Sequence, residues 1–319
     1  MGSFGVTVPF SKIGLRDHEP FVKSALEMGY EELWSSEVDC YDAFSPLITA
    51  SGWSSSMRLG TAIVPTFTRG PATLAMSISA LCDVAPGRVS VGLGSSSNVI
   101  VERWNSQPFV SPFQRTRDTV RFLREALSGA RVDREYETFS VSGFKLLQPP
   151  SEPPEILVAA LREQMLKMSS READGVVLNW LSPSDVTRVS GYLNPTKKVV
   201  ARIFVCPSVE VELVRAGAKR LIATYMNVPV YAEFQRWLGR GERLEKMWTA
   251  WSRGDRKEAA RQVPNDVVDE LIVHGSPESC KLSIEEYFKA GVDVAAIAFL
   301  PFELSEPESM MLLGRQLTS

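Results

Sequence analysis

Two hydrophobic periods take turns along the chain. Val89, Val91 and Leu93 alternate with Ser90, Gly92 and Gly94, the period-two signature of a buried strand. Short stretches of the same kind recur at residues 4–9, 32–36, 58–64, 156–160, 175–179, 198–206 and 294–299. Segments of helical period lie between them. Asp17 precedes a pattern carrying Phe21, Val22, Ala25, Leu26 and Met28, and Gly29 closes it as a C-terminal cap. Ser45-Pro46, Ser111-Pro112, Ser182-Pro183 and Ser276-Pro277 each read as a serine cap followed by proline in the first turn. Gly70-Pro71 opens the helix bearing Leu74, Ile78 and Leu81. From Ser111 to about Ser128, Phe113, Thr116, Val120, Leu123 and Leu127 share one face, with arginines and acids largely on the other. Residues 161–173 form another helix, and a last one carries Met310 to Leu313.

Eight strand-helix pairs are what a closed parallel barrel needs, so the expected fold class is α/β, a (β/α)8 TIM-type barrel within one domain of residues 1–319. The rhythm breaks twice. Residues 131–154 alternate weakly and contain the pairs Pro149-Pro150 and Pro153-Pro154, a surface excursion. Residues 209–271 are more than one helix requires and predict a helical insertion after strand seven. A doubly wound sheet is the rival, because residues 92–97 approach a G-x-G-x-x-G pattern. Ser97 replaces the third glycine, however, the stretch is the fourth strand, and its helix starts well after the glycines.

Composition narrows the classes. With 44% hydrophobic and 23% charged residues and a net charge of -3, the chain is that of a soluble globular protein without the basic excess of a nucleic-acid binder. No apolar run approaches the roughly 20 residues that span a membrane, and the N-terminus lacks a signal peptide's basic and apolar regions. A cytoplasmic protein is expected. Cys40, Cys82, Cys206 and Cys280 are scattered without a C-x-x-C pair, so neither a metal site nor a disulfide framework is indicated. The chemistry concentrates at the end of the fourth strand. There Gly92, Gly94, Ser95, Ser96 and Ser97 leave backbone and hydroxyl groups open to a polar or anionic ligand. A tight serine-rich turn with no ligand is the alternative.

Several segments together resemble the bacterial luciferase-like superfamily, in its branch of deazaflavin (coenzyme F420)-dependent oxidoreductases. They are residues 28–34 (MGYEELW), 58–63 (RLGTAI), 88–94 (RVSVGLG), 107–109 (QPF), 171–175 (READG), 254–256 (GDR), 263–266 (VPND), 275–278 (GSPE) and 290–292 (AGV). The resemblance implies a barrel with an insertion after strand seven and a flavin-like ring at its C-terminal mouth. It also implies a small-molecule substrate and a homodimer paired through barrel helices. Hydride transfer to or from coenzyme F420 is the activity implied. An FMN-dependent monooxygenase and a non-catalytic flavin-binding subunit are the alternatives.

Carried onto this chain, the resemblance places a cis peptide at Ala62-Ile63, behind one face of the ring; composition alone reads an ordinary core strand there. Gly92, Gly94 and Ser95 to Ser97 would meet the pyrimidine edge and the ribityl chain. Ala159, Ala160 and Leu161 would lie along that chain. Ser182 and Ser184 would hold the phosphate, unless they only cap their helix. Glu37 ends strand two and is the candidate to orient the ring or to move a proton; a solvated acid is its alternative. Some members carry an Asp-His pair there, but this chain has Glu37-Val38. The histidine base of sugar-phosphate dehydrogenation is thus missing, and neither His18 nor His274 is placed to replace it. Glu102, Trp104 and Trp180 are expected to line the substrate pocket, and Arg103, Arg162 and Arg202 are candidate partners for the cofactor's anionic tail.

Overall fold

The computed structural model describes residues 2–318. Its strands are β1 (Ser3–Val8), β2 (Glu32–Ser35), β3 (Arg58–Pro65), β4 (Val89–Gly94), β5 (Val132–Glu135), β6 (Ser140–Phe144), β7 (Glu155–Ala159), β8 (Gly175–Asn179), β9 (Lys198–Cys206), β10 (Ile272–His274) and β11 (Val294–Phe299). In the order β1-β2-β3-β4-β7-β8-β9-β11 they pair in parallel, and β11 returns to β1, which closes the ring. The barrel expected from the alternation is the fold. All the strand stretches read from period two lie in this ring.

Helices α1 (Glu19–Glu27), α2 (Ser45–Ser51), α3 (Pro71–Val84), α4 (Pro112–Leu127), α5 (Glu163–Glu172) and α6 (Pro183–Ser190) follow the first six ring strands. Their apolar stripes pack on the outer faces of the strands; Leu74, Ile78, Val120, Leu123 and Leu166 are fully buried there. Gly29, at φ 85°, ends the turn after α1 in the left-handed conformation that glycine adopts without penalty. The caps differ from expectation at two points: Ser111 precedes α4 in the left-handed region at φ 51° and makes no side-chain cap bond, and Ser45 is displaced from the cap of α2. Ser45 is the first helical residue of α2 rather than its cap; Asp42 accepts the backbone N–H groups of Phe44 (2.8 Å) and Ser45 (3.1 Å) instead. An aspartate with two free oxygens outcompetes a serine three residues on.

The excursion at 131–154 contains an antiparallel hairpin of β5 and β6. Strand β6 begins only at Ser140, because residues 136–139 form its turn, with Tyr136 and Phe139 packed on Phe122 of α4. After β9 come α7 (Val211–Met226), α8 (Pro229–Trp237), α9 (Gly241–Ser252), α10 (Arg256–Arg261) and α11 (Asn265–Leu271). They bury Ile222, Met226, Leu244, Met247 and Val267 in a second apolar cluster with Trp180 and Phe204. Strand β10 extends the sheet beside the end of β9 and was not foreseen. Three residues are too few to show a period of two after the helical Val267, Val268 and Leu271. Helices α12 (Pro277–Lys289) and α13 (Glu306–Leu317) complete the chain. No helix among the described residues is long and apolar enough to cross a membrane.

One large side chain fills the barrel floor. Trp34 is fully buried against Leu157, Val177, Val200, Val294 and Ala296. Neighbouring strands make room for it: a Cβ at Gly60 would stand 2.4 Å from the indole, and one at Gly5 2.8 Å. Its Nε1–H donates to buried Glu32 (3.1 Å), which also accepts from Ser3 (2.9 Å). With the floor plugged, the barrel lumen opens to a ligand at its C-terminal mouth.

Candidate functional site

The carboxyl ends of the strands open into a cavity of about 690 Å³. Its first wall comes from an irregularity in β3. Ala62 pairs with Gly92 and Val64 with Leu93, which leaves Ile63 as an extra residue, and the Ala62–Ile63 peptide is cis. The bulge turns Ala62 and Ile63 to the cavity surface. Gly94 ends β4 next to this wall; a Cβ on it would stand 3.0 Å from Ile63 Cδ1 and 3.2 Å from Ala159 Cβ. Small residues on β3, β4 and β7 thus form a continuous apolar crescent.

Ser95, Ser96 and Ser97 continue from the crescent into the cavity lining, with Ser96 in the left-handed region at φ 63°. Among the described residues no acceptor faces their backbone N–H groups. The carbonyl of Ser97 receives the N–H of Val101 (2.9 Å) as the chain enters a π-helical turn, Val99–Trp104. Free amides and three hydroxyls beside an apolar wall suit a flat ring with a polar edge.

The insertion supplies the opposite side. Tyr225, Val228, Val230, Tyr231 and Trp237, from α7, α8 and their junction, close over the cavity. Asn179 at the end of β8 donates through Nδ2 to the Tyr231 phenol oxygen (3.2 Å), while its buried Oδ1 has no partner among the described residues. Burial pushes the Tyr231 phenol above its ordinary value, against the opposing pull of Asn179 and Arg202, so it stays protonated at neutral pH. Its oxygen accepts from Asn179, and its own proton is available to a ligand.

Glu37 lines the cavity, but its carboxylate is committed. Arg69 Nη1 lies 2.6 Å from both oxygens, Thr68 donates to Oε1 (3.1 Å), and the Ala43 N–H donates to Oε2 (3.0 Å). Arg69 also stacks over Phe44 at 5.3 Å. The group ties the loops after β2 and β3 together and is a joint of the wall, not an unencumbered base. Its partners were not read from the sequence, since Thr68 and Arg69 carry no local pattern.

The structure gathers Glu37, Ala62, Ile63, Gly94, Ser95, Ser96, Ser97, Ala159 and Leu161 around the cavity, together with Arg162 and Arg202. It places the others elsewhere. Gly92 lies within the buried strand, where a Cβ would stand 2.1 Å from the Thr61 carbonyl oxygen; it is a packing glycine. Ala160 is fully buried behind the wall. Ser182 caps α6 in a capping box with Asp185, and with Ser184 it borders a separate polar depression. Trp180 does not line the cavity; it packs at a tilt against Phe204 (4.1 Å) and Tyr225 (5.1 Å) in the apolar cluster of the insertion. Glu102, Arg103 and Trp104 lie on the π-helical turn with exposed side chains, outside the cavity lining. Turn geometry decided these last three, and nothing in their residue types encodes it.

The lining residues Tyr225, Tyr231, Trp237 and Asn179 were missed. Asn179 had a usable signal, as the polar terminus of the strand GVVLN at the functional end of a barrel. The insertion residues had none, because their placement follows from how α7 and α8 dock. Among the described residues no group of three His, Cys, Asp or Glu side chains could hold a metal ion.

Comparison with known proteins agrees with this geometry. Over 317 residues the chain is 24% identical to 5,10-methylenetetrahydromethanopterin reductase of Archaeoglobus fulgidus, covering 94% of each chain. It is 23% identical over 313 residues to a putative coenzyme F420-dependent oxidoreductase of Mycobacterium tuberculosis, covering 88% of this chain and 90% of that one. The solved coenzyme F420-dependent tetrahydromethanopterin reductase from Methanopyrus kandleri superposes with a TM-score of 0.83 at 21% identity, over 98% of this chain and 97% of that one. The family model for luciferase-like monooxygenases matches residues 3–294. With a bulged β3, a glycine-serine mouth on β4 and a helical insertion after β9, the chain belongs to the luciferase-like monooxygenase family.

Proposed function

We propose that the protein is a coenzyme F420-dependent oxidoreductase that moves a hydride between the deazaflavin ring and a small organic substrate. The observation that carries this reading is the apolar crescent of Ala62, Ile63, Gly94 and Ala159 running into the unpartnered amides of Ser95 to Ser97. The donor set suits a flat ring with a polar edge: Gly94 and Ala159 keep the wall beside Ile63 low, and Ser95 to Ser97 follow directly in the chain. Similarity along the whole chain to proteins named as F420-dependent supports the choice of cofactor.

When bound, the deazaflavin supplies a ring carbon that gives or takes a hydride and does not readily form the oxygen adduct of a flavin. The chain does the rest. Ala62 and Ile63 back one face, so chemistry is confined to the other. The Ser95–Ser97 segment holds the polar edge. Ala159 and Leu161 let the ribityl chain pass toward Arg162 at the rim. Glu37, pinned by Arg69, keeps the loop walls rigid. Tyr225, Tyr231 and Trp237 keep water from the reacting face, and the Tyr231 hydroxyl is the donor available to a developing oxyanion or nitrogen anion.

Trp237 lines the cavity and reports on its occupancy. Titration of the apo protein with F420 and, separately, FMN should give saturable tryptophan quenching with F420 and at least tenfold weaker binding of FMN. Preference for FMN would move the protein to oxygen-dependent monooxygenase chemistry, and binding of neither would sink the cofactor site. A soluble homodimer belongs to the same reading. Ile48 on α2 and Met76 and Val84 on α3, adjacent helices of the barrel exterior, are exposed and support it.

A further inference from the structure

The mouth contains a second chamber of about 220 Å³ next to the first. Thr7, Val8, Pro9 and Phe10 at the end of β1, and Ala298 and Phe299 at the end of β11, supply most of its walls. Ser36, Val38, Arg202 and Tyr225 line both chambers and form the partition between them.

Arg202 is the unusual member of this partition. It points from β9, four strands away from β3 around the ring of eight, and so stands diametrically across the barrel from the Ile63 wall. Among the described residues it forms no ion pair, and its Nε is buried without an acceptor. Other interior arginines are spoken for: Arg240 is paired with Asp185 and Glu270, and Arg69 with Glu37. The Arg202 guanidinium carbon lies 5.1 Å from the centre of the Phe204 ring, a cation–π contact that uses none of its hydrogen-bond donors. In the same chamber the buried Thr7 hydroxyl is also without a partner among the described residues. A guanidinium with an unmet buried donor, in a recess it shares with the Thr7 hydroxyl, is a group that an anionic ligand would satisfy.

Resting on the reading of the large cavity as the cofactor site, we propose that the smaller chamber binds the substrate and that Arg202 selects one bearing a carboxylate. The planar guanidinium matches a carboxylate through two parallel hydrogen bonds, with Thr7 as a third donor. Val8, Pro9, Phe10, Ala298 and Phe299 enclose a short apolar body. The acids that border the chamber, Asp39 and Glu306, do not reach Arg202, and Glu306 is held by the Ser11 N–H (2.6 Å) and hydroxyl (2.7 Å). The position across from Ile63 sets the substrate on the side that the wall leaves open. Arg202 is thereby a specificity residue and not a partner of the cofactor tail.

Isosteric pairs that differ only in charge test this. Crotonate against crotonamide, and benzoate against benzamide, are titrated calorimetrically into the apo and F420-loaded protein. The wild type should bind each carboxylate at least tenfold more tightly than its amide. Arg202→Met should abolish that preference, with any loss of F420 affinity smaller than tenfold, and Arg202→Lys should restore part of the preference. Three results would overturn the proposal: no charge preference in the wild type, a preference that survives in Arg202→Met, or a tenfold loss of F420 affinity in Arg202→Met. The last would return the arginine to the cofactor. If the wild type binds no F420, the functional reading fails by itself, and the apo titrations still decide whether Arg202 binds carboxylates.

Discussion

Arg240 joins the insertion to the barrel, and its removal should loosen the whole upper half of the molecule. The side chain is 3% exposed and lies 2.6 Å from Asp185 on α6, itself 8% exposed. Its Nε reaches Glu270 (2.7 Å) and its Nη1 the Gln235 side chain (3.1 Å). Gln235 in turn holds the Trp180 carbonyl (2.9 Å). Arg240→Met keeps the volume but strands the Asp185 carboxylate in a dry site, a change that costs about 3–5 kcal/mol for a buried pair. The lower end applies. Asp185 keeps both Ser182 contacts at 2.8 Å, and Glu270 is more than a third exposed and retains Arg243. At ~2 °C per kcal/mol for a chain of this size, a loss of about 3 kcal/mol lowers the thermal midpoint by about 6 °C. The assay is thermal unfolding followed by tryptophan fluorescence, with F420 titration alongside, because α8 carries Tyr231 and Trp237 into the cavity. Affinity for F420 should fall in step. Adding Asp185→Asn removes the stranded charge and should recover about half of the lost stability. A shift under about 2 °C, or a double variant no better than the single, would refute the reasoning.

Two further perturbations separate packing from function. Gly92→Ala forces a Cβ to within 2.1 Å of the Thr61 carbonyl oxygen, a backbone atom with no room to move, so soluble expression should collapse. Gly94→Ala meets only side-chain atoms at 3.0 to 3.2 Å; this variant should fold and show at least tenfold weaker F420 quenching. Glu155, at the opposite end of the barrel, tests the acid limb of stability. Burial raises its pKa, but hydrogen bonds from Ser90 and Lys198 and the charges of Lys198 and Arg58 outweigh that and hold it below the usual carboxylate value. A depressed native pKa stabilises the fold above the unfolded value of roughly 4.3, and the contribution disappears as pH falls through the native value. Glu155→Gln should therefore lower the thermal midpoint at pH 7 and approach the wild type only as the pH falls below the unfolded value and through the depressed native one, with F420 affinity unaffected at neutral pH.

What the sequence by itself determined was the barrel and the position of its mouth. Side-chain alternation is a local property: Val89, Val91 and Leu93 must face one way and Ser90, Gly92 and Gly94 the other once the segment is extended, and repeated strand-helix pairs leave few ways to close. The same logic located Gly94 and Ser95 to Ser97, because the end of a barrel strand is the end of the mouth; Ala159 came from the family resemblance. Tertiary structure alone decided which residues at that level face the lumen. Trp180 follows Asn179 directly, yet Asn179 lines the cavity and Trp180 packs on Phe204 beneath the insertion. Gly92 and Gly94 differ by two residues, but only the second reaches the cavity, because the Thr61 carbonyl lies over the first. The roof of Tyr225, Tyr231 and Trp237 and the pairing of Glu37 with Arg69 join segments distant in the chain. Such contacts depend on how helices dock and which charges meet, and no local period carries that information.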